Sequence, residues 1–218
     1  MKKVAVILSG CGVQDGSEIH EAVLTLLAVD RAGAQAVVVS IDKPQMHVVD
    51  HQTGQPMKGQ TRNMLHESAR IARGHVQSLE DLNPESIDAV ILPGGYGAAK
   101  NLCSFAVEGE NMQVDPTLAR FLTKAKQLNK PLGFICISPV IAAKLFGEER
   151  IKLTIGNDRK TASAMESFGA SHVNCPVQEA VVDTRHKIVS TPAYMLAKRI
   201  SEAEAGIRQL VEKLLELA

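Results

Sequence analysis

The sequence predicts an α/β fold: a three-layer sandwich whose mostly parallel sheet carries helices on both faces. Three observations point there. Short, continuous apolar runs end in glycine-marked turns, as strands buried on both faces do. Strand and helix signals alternate along the chain. The core is aliphatic by necessity, because the 218 residues include no Trp, two Tyr and five Phe.

Each element follows from local chemistry. Val4–Ser9 is an apolar run and reads as a central strand, followed by a loop over Gly10–Gly16. Ser17 is placed to cap a helix, with Glu18 and Glu21 in its first turn, where the helix dipole favours carboxylates. Apolar residues Ala22, Val23, Leu26, Leu27 and Val29 keep helical spacing to Arg31, and Gly33 stops the helix. Gln35–Ile41 is a second strand. Gln45–Val49 and the turn His51–Gly54 suggest a small side hairpin. Asn63–Arg73 reads as a helix ended by Gly74.

Ile87–Leu92 is another buried strand, followed by Pro93–Gly97. Helices are expected at Ala98–Ala106 and Pro116–Leu128, the latter with Pro116 at its start. Pro131–Ile135 is a strand, Cys136–Ser138 a turn and Pro139–Leu145 a helix. Leu153–Ile155 is strand-like, and Thr161–Phe168 is a helix with Gly169 behind it. Ala180–Asp183 and Lys187–Ser190 form a hairpin, and Tyr194–Leu217 a long last helix. No linker or repeat interrupts the pattern, so residues 1–218 are expected to form one domain.

Charge narrows the function. Lys and Arg number 24, as do Asp and Glu, so the formal net charge is zero. Counterion release needs clustered basic charge, and a nucleic-acid or anionic-membrane partner is therefore not expected. No run approaches the ~20 apolar residues of a membrane span. The apolar start is too short for a signal peptide. Cys11, Cys103, Cys136 and Cys175 are far apart and suggest neither a zinc site nor a disulfide framework. A reducing cytoplasm is the expected compartment.

In such a sheet, ligands collect in the crevice at the carboxyl ends of the strands. Three turns fall there: Gly10–Gly16, Gly94–Gly97 and Cys136–Ser138. The last is the sharpest. A buried strand runs into Cys136 and Pro139 opens a helix three residues later, so the turn is an elbow that pushes a nucleophile into the crevice. The helix start is expected to lower the thiol pKa. The competing reading, a small buried hydrophobe, is the usual one for a free cysteine.

The order of strand, acidic helix, strand, Leu92-Pro93-Gly94-Gly95 and the Gly133-Phe134-Ile135-Cys136 elbow resembles the class I glutamine amidotransferase-like superfamily, ThiJ/PfpI branch. Three stretches are similar to its ElbB group, the sigma cross-reacting or enhancing-lycopene-biosynthesis proteins. They are Ile7–Val13 with Asp15–Glu21, Pro93–Asn101 and Ser190–Met195. The resemblance runs nearly end to end and implies a flavodoxin-like, class I amidotransferase-like fold. It places the nucleophile on Cys136 and its acidic partner on Glu21, with Glu18, one turn earlier, as the alternative. It also implies Gly95 and Ile137 N–H groups as oxyanion donors. One departure matters. PfpI-type proteases carry His directly after the Cys, and here that residue is Ile137. Downstream only His172 and His186 remain, and His186 reads as a solvated residue in a hairpin turn.

Without a His, amide cleavage lacks an acid for the leaving amine. Aldehyde addition expels nothing. The resemblance therefore implies cofactor-free, metal-free glyoxalase chemistry: glyoxal becomes glycolate through a hemithioacetal on Cys136, with glycated protein adducts as related substrates. His20 is a possible accessory base, although it diverges from Glu21 by about 100° around the helix. Cys11 is a possible resolving thiol or, with His20 and Glu21, a metal ligand. A homodimer is expected, and the resemblance ties the group to isoprenoid biosynthesis. Two rivals stand beside this reading. One is a dinucleotide fingerprint at Gly10–Gly16 with Asp42 as the ribose acid, although its spacing is Gly-x-Gly-x-x-x-Gly. The other is a non-catalytic binding or regulatory protein that kept the elbow.

Overall fold

The computed structural model describes residues 1–218. In chain order the first half has β1 (Lys3–Ile7), α1 (Ile19–Arg31), β2 (Gln35–Ser40), β3 (Val49–Asp50), β4 (Gln55–Pro56), α2 (Met64–Ile71), β5 (Gln77–Ser78), β6 (Ala89–Leu92), α3 (Tyr96–Lys100) and α4 (Phe105–Glu108). The second half has α5 (Pro116–Gln127), β7 (Leu132–Ile135), α6 (Pro139–Phe146), β8 (Lys152–Leu153), α7 (Arg159–Ser167), β9 (Ser171–His172), β10 (Val181–Asp183), β11 (Ile188–Thr191) and α8 (Ile200–Leu217).

Seven strands form the main sheet in the order β10-β11-β7-β6-β1-β2-β5. All neighbours run parallel except the β10–β11 hairpin. Both faces are dry because side chains alternate along each strand. Val4, Val6, Leu8, Ala89 and Ile91 face α1 and α8, meeting Ala22, Val29, Ile207, Leu210 and Leu214. Ala5, Ile7, Val90 and Leu92 face the opposite layer, meeting Leu118 and Leu122 of α5, Val140 and Ile141 of α6 and Met165 of α7. Each fully buried aliphatic side chain contributes about 1.5–3 kcal/mol. Gly133 lets α8 approach: a β-carbon there would stand 3.1 Å from Leu210 Cδ2 and 3.4 Å from Leu214 Cδ2. The three-layer α/β sandwich read from the sequence is the fold observed.

The strand order places a switch point beside β1. The chain first builds outward through β2 and β5, then returns to β6 on the other flank and continues to β7, β11 and β10. The loops leaving the carboxyl ends of β1, β6 and β7 therefore share one crevice, where α/β sheets bind ligands.

Several local expectations are corrected. Glu18, not Ser17, caps α1: its carboxylate accepts the Glu21 N–H at 2.7 Å. The Ser17 hydroxyl instead accepts the Ser9 N–H at 2.8 Å, tying the loop to β1. The expected Ala98–Ala106 helix is two short ones. Asn101 ends the first, because its side-chain amide donates to Ser9 O at 3.0 Å and Asp15 O at 2.8 Å. The side hairpin pairs Val49–Asp50 with Gln55–Pro56, shifted from the predicted span. The strand expected at Leu153–Ile155 is Lys152–Leu153, paired with Ser171–His172 outside the main sheet. The last helix starts at Ile200 rather than Tyr194. The Glu202 carboxylate accepts the Arg199 N–H at 3.2 Å, and Ala193–Met195 forms a separate tight turn. The edge strand β5 has only two residues and carried no apolar signal. No helix is long and apolar enough to cross a membrane.

Candidate active site

Cys136 stands at the end of β7 with φ of 64°, a left-handed conformation rare for a residue with a side chain. Such strain costs on the order of 1–3 kcal/mol and persists only where surrounding bonds impose it. Here they do. The Cys136 N–H donates to Thr191 O at 3.0 Å, extending the β7–β11 ladder by one residue. The fully buried Ser138 hydroxyl accepts the Ile135 N–H at 2.8 Å and lies 2.8 Å from Leu92 O and 2.9 Å from Ile135 O, to one of which it donates. Ser138 thus pins the elbow to the end of β6. Pro139 then opens α6 at a position that needs no N–H.

Glu21 comes from the first turn of α1 and is fully buried. Its Oε2 accepts the Gly94 N–H at 2.9 Å and its Oε1 accepts the Tyr194 N–H at 3.1 Å. The Cys136 thiol lies beside the same carboxyl group, close enough for each to shift the other's ionisation. The pair meets over bare backbone. A β-carbon on Gly94 would stand 2.5 Å from Cys136 Cβ, 2.9 Å from its Sγ and 2.7 Å from Glu21 Oε2. Gly95 has φ of 97°, and a β-carbon there would stand 2.4 Å from Glu18 N. The Pro93–Gly97 turn therefore works only with glycine at both positions.

Electrostatics set the protonation state. Burial drives the Glu21 carboxyl up to about 8, and the Glu18 charge adds to the rise, although the two amides and the thiol pull the other way. Burial also raises the Cys136 thiol, and the Glu21 charge raises it further. The Gly95 and Ile137 amides beside the sulfur oppose this. The depressed thiol pKa expected from the helix start is therefore corrected: desolvation outweighs the dipole in a site this dry. At neutral pH the pair retains its protons.

The other singled-out residues sort by location. Glu18 is spent on capping α1, so Glu21 is the carboxyl that meets Cys136. His20 is exposed, and its Nδ1 lies 2.8 Å from the Tyr194 hydroxyl at the rim. Cys11 sits among Glu67, Arg70, Asp15 and Arg62, beside α2, and burial raises its pKa. No group of three or more His, Cys, Asp or Glu side chains converges as a metal site, so Cys11, His20 and Glu21 do not form one. The Gly10–Gly16 loop is packed under Gln45, from the segment after β2: a β-carbon on Gly10 would meet Gln45 Oε1 at 2.4 Å. His186 is not a solvated residue as expected. Its side chain is 10% exposed and its Nδ1 lies 2.8 Å from Asp183 Oδ2. That dyad precedes Ile188, which pairs with Leu132 at the amino end of the sheet, whereas Cys136 follows Ile135. The two lie at opposite ends of the strands, on the order of 15 Å apart.

Two residues went unread in the sequence. Tyr194 supplies the amide that holds Glu21 Oε1, and Ser138 anchors the elbow. A Ser directly before Pro139 was the one signal for the latter. Tyr194 lay within the Ser190–Met195 stretch, but its role was not legible there, because its amide reaches Glu21 only once the segment after β11 lies against α1.

No protein-family model matches the chain. A human protein named glutamine amidotransferase-like class 1 domain-containing protein 3, mitochondrial, is 45% identical over 224 residues, covering 99% of this chain and 83% of that protein. A rat ES1 protein homolog, mitochondrial, is 43% identical over 224 residues, covering 99% of this chain and 84% of its own. A crystal structure of an isoprenoid biosynthesis protein with an amidotransferase-like domain from Ehrlichia chaffeensis superposes with a TM-score of 0.93 at 36% identity, covering 100% of this chain and 99% of the other. A DJ-1 superfamily protein from Agrobacterium tumefaciens, 16% identical over 99% of this chain and 89% of the other, shares the fold with a TM-score of 0.58. The cytoplasmic compartment expected from the sequence is corrected by these findings, since the human and rat relatives are both mitochondrial proteins.

Proposed function

The chain belongs to the family of glutamine amidotransferase-like class 1 domain proteins that includes the ES1 proteins, and from that premise we propose that it is a cofactor-independent glyoxalase acting on glyoxal. Within that family we read it as a member of the ElbB group, which the isoprenoid description of the Ehrlichia protein favours. The observation that carries the chemistry is the meeting of the Cys136 thiol and the Glu21 carboxyl over Gly94, beside the Gly95 and Ile137 amides.

The reactive form is the pair after loss of one proton. Glu21 takes the thiol proton as the sulfur attacks one aldehyde carbon, and returns it to the new alkoxide, giving a hemithioacetal. The Gly95 and Ile137 N–H groups stabilise the oxyanion as it forms. Glu21, again a carboxylate, removes the hydrogen on that carbon to give an enediolate; the hydroxyl proton passes from the first oxygen to the second, and Glu21 returns its proton to the neighbouring carbon. The product is a thioester of glycolate. Water cleaves it and restores the thiol. Glyoxal and water become glycolic acid; one carbon is oxidised, the other reduced, and no external electron acceptor is needed. Amide hydrolysis is disfavoured, because no His stands at the elbow to protonate a leaving amine.

One observation favours a second reading, a non-catalytic binding protein: burial holds the Cys136 thiol above its ordinary range. NMR of glyoxal consumption separates the two. Glycolate formed by the wild type and abolished in Cys136→Ala and Glu21→Gln is the expected result. No turnover at any pH up to 9 assigns the binding role, and unchanged turnover in Cys136→Ala overturns the mechanism.

A further inference from the structure

A second cleft lies at the amino end of the sheet, away from Cys136. It encloses about 320 Å³ and is walled by Glu149, Arg150, Lys152, the Val182–Asp183 end of β10 and the Thr184–His186 turn. The charges around it are unevenly spent. Both carboxylates are occupied. Glu149 accepts Lys126 Nζ at 2.6 Å. Asp183 accepts the Lys152 N–H at 2.7 Å, the His186 N–H at 3.1 Å and His186 Nδ1 at 2.8 Å. Burial alone would raise the Asp183 carboxyl, but those bonds outweigh it and hold the group below the usual carboxylate range, so it stays ionised and committed.

The three cations are not spent. Arg150, Lys152 and Arg185 line the same cleft, and none of them forms an ion pair. In a chain of zero net charge, three free cations around one concavity leave a local positive field that a complementary anion would neutralise. Two guanidinium forks offer bidentate donors matched to the oxygens of phosphate, and the Thr184 hydroxyl adds another donor. With Asp183 ionised beside them, the three cations leave an excess of two positive charges, which suits a group carrying about two negative charges.

We propose that this cleft is a binding site for a small molecule bearing a phosphate or diphosphate group, held by Arg150, Lys152 and Arg185. The site is separate from the carbonyl chemistry proposed for Cys136 and stands whether or not that reading holds. Its floor, the Asp183–His186 dyad, fixes the hairpin turn so that Arg185 is presented on a braced scaffold.

Titration with pyrophosphate, followed by amide NMR at low ionic strength, tests it. Saturable shifts confined to residues 149–152 and 182–186 are expected. The double variant Arg150→Gln/Arg185→Gln should bind at least about tenfold more weakly. The control Arg31→Gln/Arg208→Gln, which makes the same change in net charge on side chains already paired with Glu204, should bind as the wild type does. Because the substituted side chains are exposed, unchanged amide spectra without ligand will show that each variant is folded. Shifts that do not saturate, or an equal loss in the control, overturn the proposal.

Discussion

The Glu21 carboxyl and the Cys136 thiol meet across the bare α-carbon of Gly94, which leaves no room for a β-carbon between them. The Glu21 charge raises the cost of ionising the thiol, the thiol favours the carboxylate form of Glu21, and burial opposes charging either. The first proton therefore leaves the pair near pH 8 rather than near the usual range of a carboxylate.

Thiol reactivity should follow. Cys11 is half-buried and Cys136 buried beside Glu21. Site-resolved iodoacetamide labelling at pH 7 should find Cys11 modified first. The Cys136 rate should climb as pH rises through about 8, where the pair gives up a proton. Faster labelling of Cys136 at pH 6 would contradict the burial-dominated picture.

Stability should carry the same signature. The Glu21 carboxyl titrates near 8 in the folded chain against 4.5 as the reference value. Between those values the unfolded chain has released a proton that the folded chain retains, so stability falls as pH rises through this window. It is fully present below about 4.5 and lost by about 8, a difference on the order of several kcal/mol. Urea unfolding of wild type and Glu21→Gln at a series of pH values should show that slope in the difference between them. A flat difference refutes the raised carboxyl.

Gly94→Ala should damage the site more than the fold. The added β-carbon would overlap Cys136 and Glu21, and overpacking of this kind costs about 1–3 kcal/mol. The expected result is a lower melting temperature, together with at least about a tenfold loss of glycolate formation as the pair is forced apart. Full activity in a folded Gly94→Ala protein would show that the contact across Gly94 is dispensable.

Ser138→Ala removes the hydroxyl that ties Ile135 N–H and Leu92 O at the elbow. A buried group left without its partner costs about 1–3 kcal/mol. Chemical denaturation should report that loss, and Ser138→Thr, which retains a hydroxyl, should recover part of it. Wild-type stability in Ser138→Ala would mean that the elbow is held by the Cys136–Thr191 bond alone.

What the sequence by itself determined was whatever is written in a few adjacent residues. The buried runs of β1, β6 and β7, the helix after Glu18, the glycine turn at Gly94–Gly95 and the elbow at Cys136 rest on local periodicity, turn chemistry and an abrupt strand-to-helix change. The tertiary structure decided what depends on partners distant in sequence. Asn101 broke a predicted helix because Ser9 and Asp15 were waiting for its side chain. Glu21 was separated from Glu18 because one carboxylate caps its own helix while the other reaches Gly94 and Tyr194. His186 left the solvent because Asp183 lies against it at the far end of the sheet. The thiol pKa went up rather than down for the same reason. A helix start is visible in sequence, but the dryness of a site is set by every layer packed around it, and in a crevice this closed the loss of solvation outweighs the pull of the helix dipole.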